Sequence, residues 1–205
     1  MAFNNNYGNS FQRTTPVVLN LLIINVLVFL VQLFFDGPES RITKILALWP
    51  LQSGFFEPYQ VVSHMFAHGG WGHILFNMFA LWSFGTMLER VWGPKKFLIF
   101  YLACGLVAGV AQLFLSDAPA VGASGAIMGL LAAFAYLFPN TQLFIFPFPF
   151  PVKAKYAIAV MAAIDLFGGV YPAGSNIAHF AHLGGLAMGF ILVIIWNRTN
   201  KKTFY

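Results

Sequence analysis

Ala118-Pro119-Ala120-Val121-Gly122-Ala123-Ser124-Gly125-Ala126-Ile127-Met128-Gly129 opens an apolar run that continues to Phe138 and stops at Pro139-Asn140. Twenty mostly apolar residues are enough to cross a bilayer. The run nevertheless carries a serine, with glycines at 125 and 129. A polar group placed in lipid is costly and needs a reason. Small residues four apart let membrane helices pack backbone to backbone. The stretch therefore reads as a spanning helix built for close approach to another helix, with Ser124 on it.

The rest of the 205-residue chain has the same character: 59% is hydrophobic and 8% is Asp, Glu, Lys or Arg. Soluble domains are ~25% charged. That composition excludes an ordinary soluble domain, a disordered chain and a nucleic-acid binder. One cysteine, Cys104, excludes a disulfide scaffold and a cysteine metal cluster. Six apolar spans are expected: Pro16 to Phe35, Trp71 to Leu88, Phe97 to Leu115, Ala118 to Phe138, Lys155 to Val170 and Ile177 to Trp196. Pro and Gly punctuate their ends. The first span is too long for a signal-peptide core and has no A-x-A site behind it, so it reads as retained.

With the N-terminus inside, Arg13, Arg90, Lys95, Lys96, Lys153, Lys155, Arg198, Lys201 and Lys202 are cytoplasmic, and only Arg41 and Lys44 lie outside. This asymmetry sets orientation and supports an even number of spans. The layout expected is a cytoplasmic tail over 1–15, a six-helix domain over 16–196 and a cytoplasmic tail over 197–205. The Asn-rich first dozen residues read as disordered, and no internal repeat is visible. The aromatic-rich first outer loop, 36–70, is expected to associate with the membrane. Alternating prolines at 147, 149 and 151 forbid a helix there and read as an interfacial loop.

Intramembrane polar residues can be sorted by depth. Ser124 and His182 each lie about six residues into a span running from outside to inside. His73 starts another such span, with Asn77 one turn below. A serine, two histidines and an asparagine thus meet in the outer leaflet. His182 stands in Ala181-His182-Leu183-Gly184-Gly185, with Gly189 four residues on, a second small-xxx-small helix. A serine whose proton is taken by a histidine is a nucleophile. Oxyanion donors are expected in the Ser124 backbone N–H, the His73 ring and the Asn77 amide. Asp165, the only intramembrane carboxylate, counts to near mid-membrane or somewhat above, so a Ser124–His182 dyad is expected without it. His64 and His68 read as organisers of the loop, His179 as a wet, satisfied residue, and Glu89 and Arg90 as fixing the inner end of the second span. Asn20, Asn25 and Gln32 read as interhelical or lumen contacts. A metal site from His64, His68 and His73 is disfavoured by their spacing across a loop and a glycine pair.

These motifs resemble those of the rhomboid family of intramembrane serine proteases. Gly122-Ala123-Ser124-Gly125 is similar to its G-x-S-G nucleophile motif, and Ala181 to Gly185 to its A-H-x-x-G motif. His64 to Asn77 is similar to H-x-x-x-H-x-x-x-x-H-x-x-x-N, and Gly85 to Gly93 to G-x-x-x-E-x-x-x-G. The resemblance covers residues ~16–196. It implies a six-helix all-α bundle with a membrane-dipping first loop and a fifth helix that serves as a lateral gate. It implies Ser124 as nucleophile, His182 as base and His73 and Asn77 in the oxyanion hole, with no cofactor or metal. Single-span membrane proteins would be the substrates, in the lipid bilayer of a bacterial inner membrane, with no nucleic-acid partner. One departure is Met128, where some members carry a tyrosine that stacks on the base. The competing expectation is a non-catalytic relative that holds membrane helices. A channel or transporter fits less well, because the polar cluster is shallow and the sequence shows no repeat.

Overall fold

The computed structural model describes residues 14–36, 40–144, 150–171 and 177–199. It is a helical membrane bundle, and the helices fall where the apolar runs are. Helix α1 spans Pro16–Phe35, and α4 (Trp71–Ala80) runs through a π-helical segment, Leu81–Gly85, into α5 (Thr86–Trp92). Helices α6 (Pro94–Leu115), α7 (Ser124–Leu137), α8 (Ala154–Val170) and α9 (His179–Thr199) follow. Three of these, α1, α6 and α9, are long and apolar enough to cross a membrane by themselves. The outward faces stay apolar, as lipid requires: Leu19, Phe34, Phe76, Phe114, Val160 and Ile195 are all exposed.

Helices α6, α7 and α9 form the centre. A Cβ on Gly185 would stand 1.8 Å from the Gly125 carbonyl oxygen, and one on Gly189 2.4 Å from that of Gly129. The small-residue stripes of α7 and α9 are therefore in backbone contact, as their spacing predicts. A third stripe lies on α6. Gly105 faces the Met65 thioether and Gly109 faces the His64 ring, so the first outer loop seats on α6 there.

One expectation needs correction. The fourth span was expected to be helical from Ala118, but α7 begins at Ser124. Residues 118–123 are held by other means: Leu48 and Ala120 exchange both backbone hydrogen bonds (2.9 and 3.0 Å), and Gly122 N–H donates to the His64 carbonyl at 2.8 Å. Irregular backbone at membrane depth is tolerated where protein covers it and satisfies its polar groups. Gly122, at φ +120°, makes the turn into the helix. The chain between α7 and α8 forms a hairpin, with β1 (Gln142–Phe144) antiparallel to β2 (Pro151–Lys153). Pro151 opens its strand, a position where the missing N–H is tolerated. Residues 145–149, including Phe146, Pro147, Phe148 and Pro149, lie outside the described residues, as do Arg13 and most of the N-terminal tail, Asn176, Lys201 and Lys202.

The first outer loop is a folded unit. It contains α2 (Arg41–Leu46), α3 (Gln60–Ser63) and 3-10 turns at Leu51–Ser53 and His64–Phe66. Gln32 on α1 holds it: its Oε1 accepts the His68 N–H at 2.9 Å, while its Nε2 donates to the His68 carbonyl at 3.1 Å and to Thr43 Oγ1 at 2.6 Å. The interhelical contact expected of Gln32 is thus made to Thr43 on α2, beside its bonds to the His68 peptide group. Asn25 bonds back to the Leu21 carbonyl on its own helix, and Asn20 is exposed.

Glu89 has a task that its place near the inner end of α5 did not predict. Its two carboxylate oxygens accept the N–H groups of Val17 (3.0 Å) and Val18 (2.8 Å), and the residue is 1% exposed. Those N–H groups are the orphan donors of the first turn of α1. Pro16 precedes them at the first helical position, and Thr15 supplies no side-chain cap. Glu89 is therefore a cap supplied in trans, and its charge complements the positive end of the helix dipole. Glu89→Ala strands one buried donor, at a cost of ~1–3 kcal/mol, and one half-buried donor at less. It should lower the detergent-solubilised unfolding midpoint by several degrees, whereas Arg90→Ala should change it little. An unchanged midpoint in Glu89→Ala would show that the cap is dispensable.

Candidate active site

Ser124 is the first residue of α7, so its backbone N–H belongs to a helix terminus and has no acceptor within its own helix. Its Oγ lies 2.8 Å from His182 Nε2. The structure therefore brings together the two side chains that the sequence pairs. The contact depends on the glycines: Gly125 follows the serine, and Gly185 lies three residues beyond the histidine on the same helix face.

The other ring nitrogen of His182 faces a carboxylate, which the depth count did not anticipate. His182 Nδ1 is 3.0 Å from Asp165 Oδ1, and the same oxygen is 2.8 Å from His179 Nδ1. Asp165 and His179 are both buried. Asp165, expected near mid-membrane or somewhat above and apart from the pair, is thus level with His182, and His179, expected to be wet, is buried. The cause is geometric. Counted from its inner end, Asp165 is twelfth on α8, but α8 has 17 residues, so only ~8 Å of helix remains above it. His182, fourth on α9, lies ~5 Å below that helix's outer start. Counting from the outer end brings the two level. Helix α8 also supplies the space: Gly168 sits against the His179 ring and Gly169 against the Phe180 ring. These glycines, three and four residues after Asp165, were the available signal, because they share its helix face.

Hydrogen-bond direction sets the protons. A carboxylate only accepts, so the Nδ1 of His182 carries its hydrogen and Nε2 is left as the acceptor for the Ser124 hydroxyl. That is the tautomer a base needs. Chemically, the arrangement can pass the hydroxyl proton of Ser124 to His182.

His73 approaches from α4. Gly69 N–H donates to His73 Nδ1 at 3.3 Å, which leaves Nε2 as the protonated nitrogen. His73 Nε2 faces Gly122: a Cβ there would be 2.6 Å from it and 3.7 Å from Ser124 Oγ. Gly122 is thus required both for its backbone angle and for the approach of this ring. Asn77 is buried one turn below, and its Nδ2 donates to the His73 carbonyl at 2.9 Å. Among the described residues it makes no hydrogen bond to Ser124. Met128, one turn below the serine, is buried in the core. A cavity of about 10 Å³, space for about one water, lies behind the serine and is lined by His64, Gly105, Gly122, Ser124 and Ala181 among others.

His64 and His68 organise the loop as expected. His64 Nδ1 donates to the Gln60 carbonyl at 2.8 Å, and burial holds its imidazole below the ordinary value. His68 packs edge-on to His73, with ring centroids 5.1 Å apart. Burial, then the neighbouring charge of His73, pushes His68 down to about 4, against the opposing hydrogen bond to the Phe66 carbonyl.

The bundle of apolar helices, with a serine and a histidine paired inside it, defines an integral membrane protein of the helical class. The chain belongs to the rhomboid family: the model described as "Rhomboid domain" matches residues 56–199. It is similar to "Rhomboid protease GluP" of Bacillus subtilis, with 32% identity over 88% of this chain and 35% of that protein. "Putative rhomboid protease YdcA" of the same organism is 29% identical over 95% of this chain and 96% of its own length. "Rhomboid protein 1, mitochondrial" of Saccharomyces cerevisiae is 34% identical over 64% and 40%. The chain therefore spans well under half the length of the GluP and yeast relatives and nearly all of YdcA.

Two outcomes follow from this geometry. Gly185→Val drives side-chain atoms into the Gly125 carbonyl and separates Ser124 from His182. Its unfolding midpoint should fall by more than 5 °C, whereas Gly72→Ala, with open space around the new methyl, should stay within 2 °C. Equal midpoints would mean that the helices separate at little cost. For His68, the folded state favours the neutral ring, so its stabilisation is present above pH 6.5 and lost as pH falls from 6.5 towards 4. A depression of that size corresponds to on the order of 3 kcal/mol. His68→Gln should flatten the dependence of the unfolding midpoint on pH between 6.5 and 4. A slope identical to that of the parent protein would remove His68 from the account.

Proposed function

We propose that the protein is an intramembrane serine endopeptidase that hydrolyses peptide bonds in or beside transmembrane helices of single-span membrane proteins. The observation that carries this reading is the 2.8 Å contact between Ser124 Oγ and His182 Nε2 at the N-terminus of α7. Relatives named as rhomboid proteases support it. His182 takes the Ser124 proton as Oγ attacks the substrate carbonyl. The tetrahedral oxyanion is met by the Ser124 N–H, the Nε2–H of His73 and the amide of Asn77, in the positive field of the α7 terminus. His182 then protonates the leaving amine, leaving an ester on Ser124. Water, deprotonated by the same ring, cleaves the ester and restores the hydroxyl.

A helical peptide bond hides its carbonyl in the backbone ladder, so the substrate must unwind locally around the scissile bond. The basic residues on α5, α6, β2 and α9 support an orientation with both chain ends in the cytoplasm, and the compact layout shared with the Bacillus subtilis relative YdcA, matched over 96% of its length, favours a bacterial inner membrane. The second reading is a non-catalytic holder of membrane helices. The presence of both Ser124 and His182 in bonding contact favours the enzyme.

Covalent labelling of the purified, detergent-solubilised protein by a fluorophosphonate, read by intact mass, tests this. One adduct is expected in the parent protein and none in Ser124→Ala, with a rate at least 100-fold lower in His182→Ala. A well-folded parent protein that takes no label would give the holder reading first place.

A further inference from the structure

Asp165 has no part in the mechanism above, yet it is the best-built polar feature outside the serine–histidine pair. It is a buried carboxylate on a helix whose other face is exposed and apolar. Val160, Ile164 and Phe167 on α8 all face outwards. A charge in such a helix needs partners, and one carboxylate oxygen meets two imidazole nitrogens, at 2.8 Å from His179 and 3.0 Å from His182. The site is shaped for this. A Cβ on Gly168 would lie 2.5 Å from the His179 ring, so only a glycine there admits that ring beneath α8.

We propose that Asp165 is the positioning residue for His182, turning the Ser124–His182 pair into a Ser–His–Asp relay, and that His179 fixes the carboxylate in place. The inference rests on the protease reading and adds a third residue to it. Asp165 touches neither Ser124 nor the place of the substrate, so it acts only through His182. By accepting the Nδ1 hydrogen it selects the tautomer whose Nε2 is free to receive the serine proton. It also stabilises the imidazolium that forms when that proton arrives. His179, bonded to the same oxygen, removes the carboxylate's freedom to turn away. Because Asp165 belongs to α8 while Ser124 and His182 belong to α7 and α9, the base is oriented only while the outer half of α8 rests on α9.

The test uses the full chain in detergent. Fluorophosphonate labelling rates are measured for the parent, Asp165→Asn, Asp165→Ala, His179→Ala and the Asp165→Ala/His179→Ala double variant, with unfolding midpoints taken alongside. Ring ¹H–¹⁵N spectra of the parent, assigned with His182→Ala, report which nitrogen of His182 is protonated. Both Asp165 variants should lose at least 100-fold in rate. His179→Ala should lose about 10-fold, and the double variant should be no slower than Asp165→Ala, because His179 acts through the carboxylate. The parent spectrum should show His182 protonated at Nδ1. A folded Asp165→Asn or Asp165→Ala that labels within 3-fold of the parent overturns the proposal and leaves Asp165 as a packing residue. If neither variant folds, the parent spectrum decides, and Nε2 protonation of His182 overturns it. A parent protein that takes no label defeats the protease reading instead, and the spectrum still tests the placement of the His182 proton.

Discussion

The backbone contact between α7 and α9 is the constraint on which the site depends. A Cβ at Gly185 would lie 1.8 Å from the Gly125 carbonyl, so no residue but glycine fits there without moving a main chain. This closeness decides chemistry as well as packing. Side chains of serine and histidine are short, and a 2.8 Å contact between them requires helix axes nearer than larger residues allow. In lipid there is no hydrophobic drive to press two apolar helices together, so shape carries the association. The glycines that let the bundle assemble are therefore the ones that set the distance from Ser124 to His182.

The first outer loop solves a different problem. Helix α7 has 14 residues, ~21 Å, which is short of a ~30 Å hydrocarbon core. The chain leading into it is irregular and must satisfy its polar groups internally. Leu48 and His64 provide those partners to Ala120 and Gly122, while Gln32 holds the loop by the His68 peptide group. The loop is thus the support that lets a helix begin inside the bundle, with its N-terminal N–H groups within the protein. A helix that started at Ala118 would bury Ser124 in its second turn, with its N–H committed to the backbone ladder and unable to serve an anion.

The features legible in the sequence were those governed by periodicity and by residue size. The apolar runs located the helices, and Gly125, Gly129, Gly185 and Gly189 announced the close pair. Equal counting from the outer ends brought Ser124, His73 and His182 together. What escaped depended on pairings between distant segments. The bridge from Leu48 to Ala120 shortens α7, and no local signal marks it beyond Pro119 and Gly122. Glu89 looks like an inner-end charge on α5 until α1 is seen to place its first N–H groups beside it. The alternating prolines before α8 excluded a helix correctly, but the pairing of Pro151–Lys153 with Gln142–Phe144 is a property of two segments. Asp165 escapes because α8, at 17 residues, is too short for a count from its Ala154 end to give the level of its side chain.

Helix α8 is held differently from its neighbours. Its inner end is fastened by backbone: Ala154 N–H donates to the Thr141 carbonyl at 2.8 Å, next to the hairpin. Its outer half offers lipid Ile164, Phe167 and Val170, and turns inward the carboxylate of Asp165 with Gly168 and Gly169 below the His179 and Phe180 rings. An apolar face gains nothing by choosing protein over lipid, so these few contacts settle where the outer half of α8 rests. Moving it away would take Asp165 from two hydrogen-bonding imidazoles into hydrocarbon, which a carboxylate resists. The polar pairs that dock α8 are therefore the same pairs that orient His182, and the protein cannot loosen one without disturbing the other.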